Sequence, residues 1–217
     1  MADMTVLSKT LKAPAHKALV VACRIFGRDR TFDFEGTSLH YFFGFYNNTA
    51  STERCIEIPI ALHFTRPGQH VLEVGNVLNH YVPFPHDVVD KYEVADGVLN
   101  CDVVDYRTEK KYDLVIAIST IEHVGWDEPL KDPTKPLTAI EDLRSMLSPD
   151  GQMVITVPHG YNPYLDSALA ADRILCRKHY RYRRESWLAW SCVPNIDPST
   201  RYGHPYPCAN AIHVLVI

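Results

Sequence analysis

The feature that most constrains this chain is a series of short apolar runs between residues 71 and 123 that do not alternate. Val71-Leu72-Glu73-Val74 breaks into Gly75-Asn76, Asp87-Val88-Val89 ends on Asp90, and Tyr112 to Thr120 (YDLVIAIST) leads into Ile121-Glu122-His123. A strand with one wet face alternates apolar and polar residues. A strand covered on both faces reads as a continuous apolar run. These runs therefore predict parallel strands with helices on both sides. In such sheets ligands sit beyond the carboxyl ends of the strands. Gly75 and the acids fall there, so a nucleotide-like cofactor is expected in this stretch.

The remaining pattern supports one α/β domain. Residues 1–30 read as a loose arm or a first helix. Residues 32–48 are rich in aromatics and suit either a lid over a substrate or a dimer contact. Residues 51–66 predict a helix capped by Ser51 or Thr52, with Ile56, Ile60 and Phe64 at helical spacing. Strands at 70–75, 86–90, 98–101, 112–119 and 152–157 then alternate with an irregular helix at 76–83 and a helix at 137–147. Pro149-Asp150-Gly151 predicts a tight turn before the strand at 152–157. A helix over 164–178 and a final strand, Ala211 to Ile217, complete the expectation, with the last strand beside the last parallel one. The chain divides as an N-terminal arm (1–66), a cofactor-binding core (67–158) and an acceptor side (159–217).

Composition excludes several classes. A chain of 217 residues carries one sizeable core. A net charge of −4 argues against broad binding to nucleic acid. No apolar run approaches the roughly 20 residues of a membrane span. The opening MADMTVLSKT lacks the pattern of a secretory signal. The cysteines at 23, 55, 101, 176, 192 and 208 form no C-x-x-C pair, which suits free thiols in a reducing, cytoplasmic setting.

Five segments in order resemble the class I S-adenosylmethionine-dependent methyltransferases. Glu73-Val74-Gly75 is similar to the acidic loop after the family's first strand, and Asp90 to the acid ending its second. Asp102, in Cys101-Asp102-Val103-Val104-Asp105, is similar to the acid beside the adenine. Asp113 through His123 resembles strand four and its catalytic loop, and Leu143 to Gly151 resembles the helix and turn before strand five. The resemblance implies a seven-stranded, Rossmann-like doubly wound sheet, mostly parallel, with an antiparallel C-terminal strand. It also implies S-adenosylmethionine as cofactor, held by Glu73, Gly75, Asn76, Asp90, Lys91, Asp102, Val103 and Ser119. Glu73 would pair with the cofactor's ammonium, Asp90 with its ribose hydroxyls, and Asp102 with its adenine amine. The family's loop carries a second glycine where this chain has Val77.

For methyl transfer to a hydroxyl, the protein must orient the nucleophile and take its proton. His123 is the expected general base, with Glu122 as second acid/base or as orienter of His123. Trp126, His159, Tyr161, His204 and Tyr206 combine flat faces with polar groups and suit a small polyhydroxylated acceptor, a sugar. Within the family, the general character is similar to actinobacterial enzymes that methylate sugars, such as the mannoside methyltransferase of methylmannose polysaccharide synthesis. Some sugar O-methyltransferases of this fold use magnesium. Asp127, Glu128, Glu122 and His80 or His86 are available as ligands, at no dedicated spacing.

A basic group (Arg173, Arg177, Lys178, Arg181, Arg183, Arg184) is expected on a helix face, either solvated or meeting an RNA, phosphate or carboxylate acceptor. An RNA or protein methyltransferase and a non-catalytic module that keeps the fold are the alternative readings. A monomer and a homodimer are both compatible with the sequence.

Overall fold

The apolar runs pair as parallel strands in the computed structural model, which describes residues 17–217; the first part of the expected arm, 1–16, lies outside the described residues. Residues 17–26 are helical (α1). The elements that follow are β1 (Thr31–Phe34), β2 (Thr37–His40), α2 (Arg54–Phe64), β3 (Val71–Val74), β4 (Asp87–Val89), β5 (Val98–Leu99), β6 (Tyr112–Ile118) and α3 (Lys135–Ser145). They continue with β7 (Leu147–Pro158), α4 (Pro163–Ala170), β8 (Lys178–Ser186), β9 (Ala189–Cys192) and β10 (Ala211–Val216). β1 and β2 form a separate hairpin.

The main sheet has eight strands in the order β5-β4-β3-β6-β7-β10-β8-β9. β3 pairs in parallel with both β4 and β6, and β6 with β7. β10 runs antiparallel between β7 and β8, the slot expected for the last strand. The sheet is thus the expected doubly wound α/β arrangement, with one strand, β9, added at the edge.

Alternation along β6 shows how both faces are filled. Leu114, Ile116 and Ile118 join the core under α2 and the β1–β2 hairpin, while Val115 and Ala117 join the core under α3 and α4. All five are 0% exposed, which is why this run shows no polar alternation. Pro59 sits inside α2 without ending it.

Three expectations are corrected. The segment 164–178 is helical only over Pro163–Ala170; Arg173 and Arg177 lie in the connection that follows, and Lys178, Arg181, Arg183 and Arg184 on a strand, β8. Tyr180 and Tyr182 alternate with His179, Arg181 and Arg183, a two-residue period that identifies the strand. The basic residues are also largely spent. Lys178 pairs with Glu35, Arg183 with Glu185, and Arg184 is buried against Trp190 and Tyr206.

The turn at Pro149-Asp150-Gly151 does not precede β7 but interrupts it. Tyr112 faces Leu147, whereas Leu114 already faces Gln152, so the intervening residues bulge out.

The aromatic segment 32–48 is divided between core and surface, with Phe45 and Tyr46 exposed. Phe32, Phe34, Tyr41 and Phe43 are buried, and the Tyr182 hydroxyl donates to the Asp33 carbonyl at 2.7 Å. The irregular helix expected at 76–83 reduces to a short 3-10 turn, Leu78–His80. No helix among the described residues is long and apolar enough to cross a membrane.

Ile116 packs at the centre of the sheet with no exposure. Ile116→Ala is expected to cost about 2–5 kcal/mol of stability, read as a lowered urea midpoint.

Candidate cofactor cavity and catalytic loop

The strand order reverses between β3 and β6. The chain leaves β3 toward β4 on one side and leaves β6 toward β7 on the other. The diverging loops open a crevice at the carboxyl ends of the strands, where this class of sheet binds ligands. A cavity of about 320 Å³ lies there.

Its floor is the loop after β3. Gly75 has φ +83°, and a Cβ at that position would stand 2.3 Å from the Thr120 hydroxyl oxygen at the end of β6. A glycine is therefore required where these two loops touch. Val77, at the position of the missing second glycine, has φ −104°, an ordinary value for a branched residue. The loop is instead held by Glu73. Its carboxylate accepts from the amides of Val77 (3.2 Å) and Leu78 (2.7 Å) and meets His86 Nε2 at 2.9 Å. Glu73 is fully buried and does not line the cavity. That placement departs from a direct role toward a cofactor ammonium, because both carboxylate oxygens are already engaged.

Asp90 does line the cavity. One oxygen accepts from the Asn76 amide at 3.0 Å, and the other from the amides of Tyr92 and Glu93 at 2.8 and 2.7 Å. Its position is thus set by the backbone on both sides.

Farther along, Asp102 and Glu128 share two lysines. Lys91 Nζ lies 2.7 Å from Asp102 and 3.0 Å from Glu128, and Lys135 Nζ lies 2.6 Å from each. Burial opposes ionisation of both acids, but the lysines outweigh it and hold them below the usual carboxylate range. Val103 lines the wall beside them.

The other end is built by β6 and α2. Ser119 adopts a left-handed backbone, φ +41°, which is uncommon for a residue with a side chain. It is held there by its hydrogen bonds. Its amide donates to the Thr156 carbonyl at 3.0 Å, and its hydroxyl to Glu57 at 2.5 Å. Glu57 also accepts from Arg54 at 2.7 Å, and Arg54 reaches the Ile118 carbonyl at 3.1 Å. Arg54 lines the cavity from this anchored position.

The loop after β6 carries the reactive candidates. The Asp127 amide donates to the His123 carbonyl, so the two side chains lie one helical turn apart on the same side. His123 Nδ1 is 2.6 Å from an Asp127 oxygen, and the Tyr161 hydroxyl donates to the same oxygen at 2.7 Å. The His123 and Tyr161 rings meet edge to face at 4.7 Å, and Tyr161 packs on Tyr202 at 5.0 Å. Burial would raise the Asp127 carboxyl, but His123 and Tyr161 outweigh it and keep it lowered.

Glu122 is placed otherwise than an orienter requires. It is 1% exposed, its nearer oxygen is 3.6 Å from His123 Nε2, and its other oxygen has no partner. Burial, with Glu57 and Glu53 nearby, pushes its carboxyl well above the usual carboxylate range. Asp127, not Glu122, orients His123.

Of the expected site residues, Gly75, Asn76, Asp90, Lys91, Asp102, Val103, Ser119 and His123 come together around the cavity. Tyr161 joins through Asp127. Trp126 lies under Lys131 and against Tyr164 (5.7 Å). Tyr206 packs on Trp187 (4.8 Å), and His204 is exposed opposite Arg201. His159 turns instead to His213, at 3.1 Å. Arg54, Glu57 and Lys135 escape the sequence reading because their partners lie up to 64 positions away.

The carboxylates after β6 are mostly engaged. One Asp127 oxygen is held by His123 and Tyr161, Glu128 is held by two lysines, and Glu122 is buried. His80 and His86 sit apart on Glu93 and Glu73. Hard-cation sites need free oxygens.

No family model and no curated protein matches the sequence. Solved structures with some likeness include N-methyltransferase NodS of Bradyrhizobium japonicum in complex with S-adenosyl-L-homocysteine (11% identity, 74% of this chain and 82% of that one, TM-score 0.43). Another is an S-adenosylmethionine-dependent methyltransferase of Clostridium acetobutylicum (9%, 68% and 82%, TM-score 0.36). A third is CalS10, an amino pentose methyltransferase of Micromonospora echinaspora (16%, 60% and 57%, TM-score 0.36). At these scores the functional reading rests on the residues of this chain.

The Glu73–His86 contact makes a pH-dependent contribution to stability. Burial would lower the His86 pKa, but the hydrogen bond to Glu73 outweighs it and raises the value above 6.5. A raised pKa means the folded state favours protonated histidine. The contribution is therefore full below about pH 6.5 and is lost as pH rises through the folded value. Glu73→Gln is expected to cost about 1.5–3 kcal/mol at pH 6. Thermal unfolding at a series of pH values should show that deficit shrinking toward pH 8.5.

Proposed function

We propose that this protein is an S-adenosylmethionine-dependent methyltransferase acting on a hydroxyl of a small polyhydroxylated acceptor, a sugar, with His123 as general base. The observation that carries the proposal is the Asp127–His123 pair at the rim of the switch-point cavity, 2.6 Å from nitrogen to oxygen. An aspartate bound to Nδ1 assigns the proton there and leaves Nε2 as the basic nitrogen.

The cavity residues fit the cofactor. Gly75 and Asn76 supply a close backbone edge, Asp90 a carboxyl acceptor for ribose hydroxyls, and Val103 an apolar wall for a base. Asp102 is nearest the expected adenine position, though its charge is shared with Lys91 and Lys135. When bound, the cofactor supplies an already activated methyl group, so the protein has little bond-breaking to assist.

What remains is orientation and proton removal. Tyr161 and Tyr202 offer flat faces beside His123, suited to the C–H surface of a sugar ring. His123 Nε2 takes the proton as the oxygen becomes nucleophilic, and Asp127 stabilises the resulting imidazolium. The RNA reading loses its motive, because Lys178 and Arg183 are ion-paired and Arg184 is buried.

Calorimetric titration with S-adenosylhomocysteine tests the cofactor. Micromolar binding that is indifferent to magnesium is expected, and no binding would overturn the proposal. With an active sugar acceptor in hand, His123→Ala should lower kcat by ~10²–10⁴-fold while leaving cofactor affinity intact.

A further inference from the structure

On the far side of the loop that carries Tyr161, the side chains of His159, Asp166 and His213 converge, with one ligand atom of each within 4.8 Å of the others. His159 Nδ1 is 3.1 Å from His213 Nε2 and 3.5 Å from Asp166 Oδ1. Three elements supply them: the end of β7, the first turn of α4 and the middle of β10. His213 is 5% exposed, and the other two are largely covered.

Hydrogen bonding alone leaves this cluster incomplete. Asp166 Oδ1 is buried and has no partner, although Oδ2 is fixed by the Gly160 amide at 3.0 Å. The two facing imidazole nitrogens can share only one proton between them. Three atoms that can all present lone pairs thus lie within one small volume. A buried carboxylate oxygen without a donor is costly unless something positive meets it.

We propose that His159, Asp166 and His213 form a binding site for a divalent transition ion of the zinc class. Two imidazoles and a carboxylate suit zinc and its neighbours, whereas magnesium and calcium demand oxygen donors. Zinc bonds of about 2.0–2.2 Å in a tetrahedron place ligand atoms roughly 3.3 Å apart, close to the 3.1 and 3.5 Å found here. The fourth position is left to water.

The surroundings supply an outer shell. His179 Nε2 lies 2.9 Å from His213 Nδ1, so a metal-bound His213 would donate its remaining proton to His179. His179 Nδ1 would then carry a proton and lose its present contact with Arg181, at 3.0 Å. Arg181 is only half-buried and free to turn outward. The ion would pin α4 to the sheet and brace the loop from His159 to Asn162. This site is independent of the proposed methyl transfer.

The test uses the full chain without a histidine tag, stripped with a chelator, and titrated with zinc and with cobalt. The expected result is one ion per chain at micromolar affinity or tighter, a raised Tm, and the visible spectrum of tetrahedral cobalt with nitrogen and oxygen donors. Magnesium should change nothing. His159→Gln and the isosteric Asp166→Asn should each weaken binding by more than the ~10–100-fold typical of losing an outer partner. Absence of stoichiometric binding to the folded wild-type chain would overturn the proposal. So would binding that survives both substitutions, or cobalt–thiolate absorption, which would point to the exposed Cys192. The wild-type cobalt spectrum decides the donor set even if a variant fails to fold.

Discussion

The candidate site depends on the pairing of β3 with β6. Every other strand in the parallel part of the sheet lies to one side or the other of that pair. Because the two following loops leave in opposite directions, no backbone crosses the gap between them, and a crevice forms without any special sequence to create it. What the sequence must supply is a way for the loops to touch at the bottom. Gly75 against Thr120 is that contact, and the left-handed glycine is the only residue type that fits both the backbone angle and the space.

Buried charge then differentiates the two ends of the crevice. At the β4–β5 end, Asp102 and Glu128 are kept ionised by Lys91 and Lys135. At the α2 end, Arg54 is tied to Glu57, and Glu57 to the strained Ser119. Breaking such a buried pair leaves a stranded charge, so each partner holds the others in place. Glu122, buried close by with one oxygen unpartnered, is pushed the other way, above the usual carboxylate range. The same side-chain chemistry is drawn toward ionisation at one end and away from it at the other, and distance from lysine decides which.

Much of this was legible in the residues. The continuous apolar runs of β3, β4 and β6 announce strands covered on both faces, and the acids and glycine at their ends mark the binding edge. Gly75, Asp90, Asp102 and His123 were found because they sit at fixed positions relative to those strands. Other features were harder to see. Glu73 reads as a ligand-facing acid, but Val71 and Glu73 point to the opposite face from Leu72 and Val74, and the carboxylate is consumed by the loop it was expected to open onto. The expected helix runs on to 178, at the start of β8, because the charges there draw attention away from the alternation of Tyr180 and Tyr182.

By itself, then, the sequence determines the class of sheet, the edge where ligands bind and the residue types available there, since these follow from local periodicity and from turns. Tertiary structure alone decides which acid keeps its charge, which partner orients His123, and that His159 meets His213 rather than the acceptor side. Those outcomes depend on contacts between residues 4 to 62 positions apart, formed only when the sheet closes. No local pattern encodes them, because burial and the distance to a counter-charge are properties of the packed molecule.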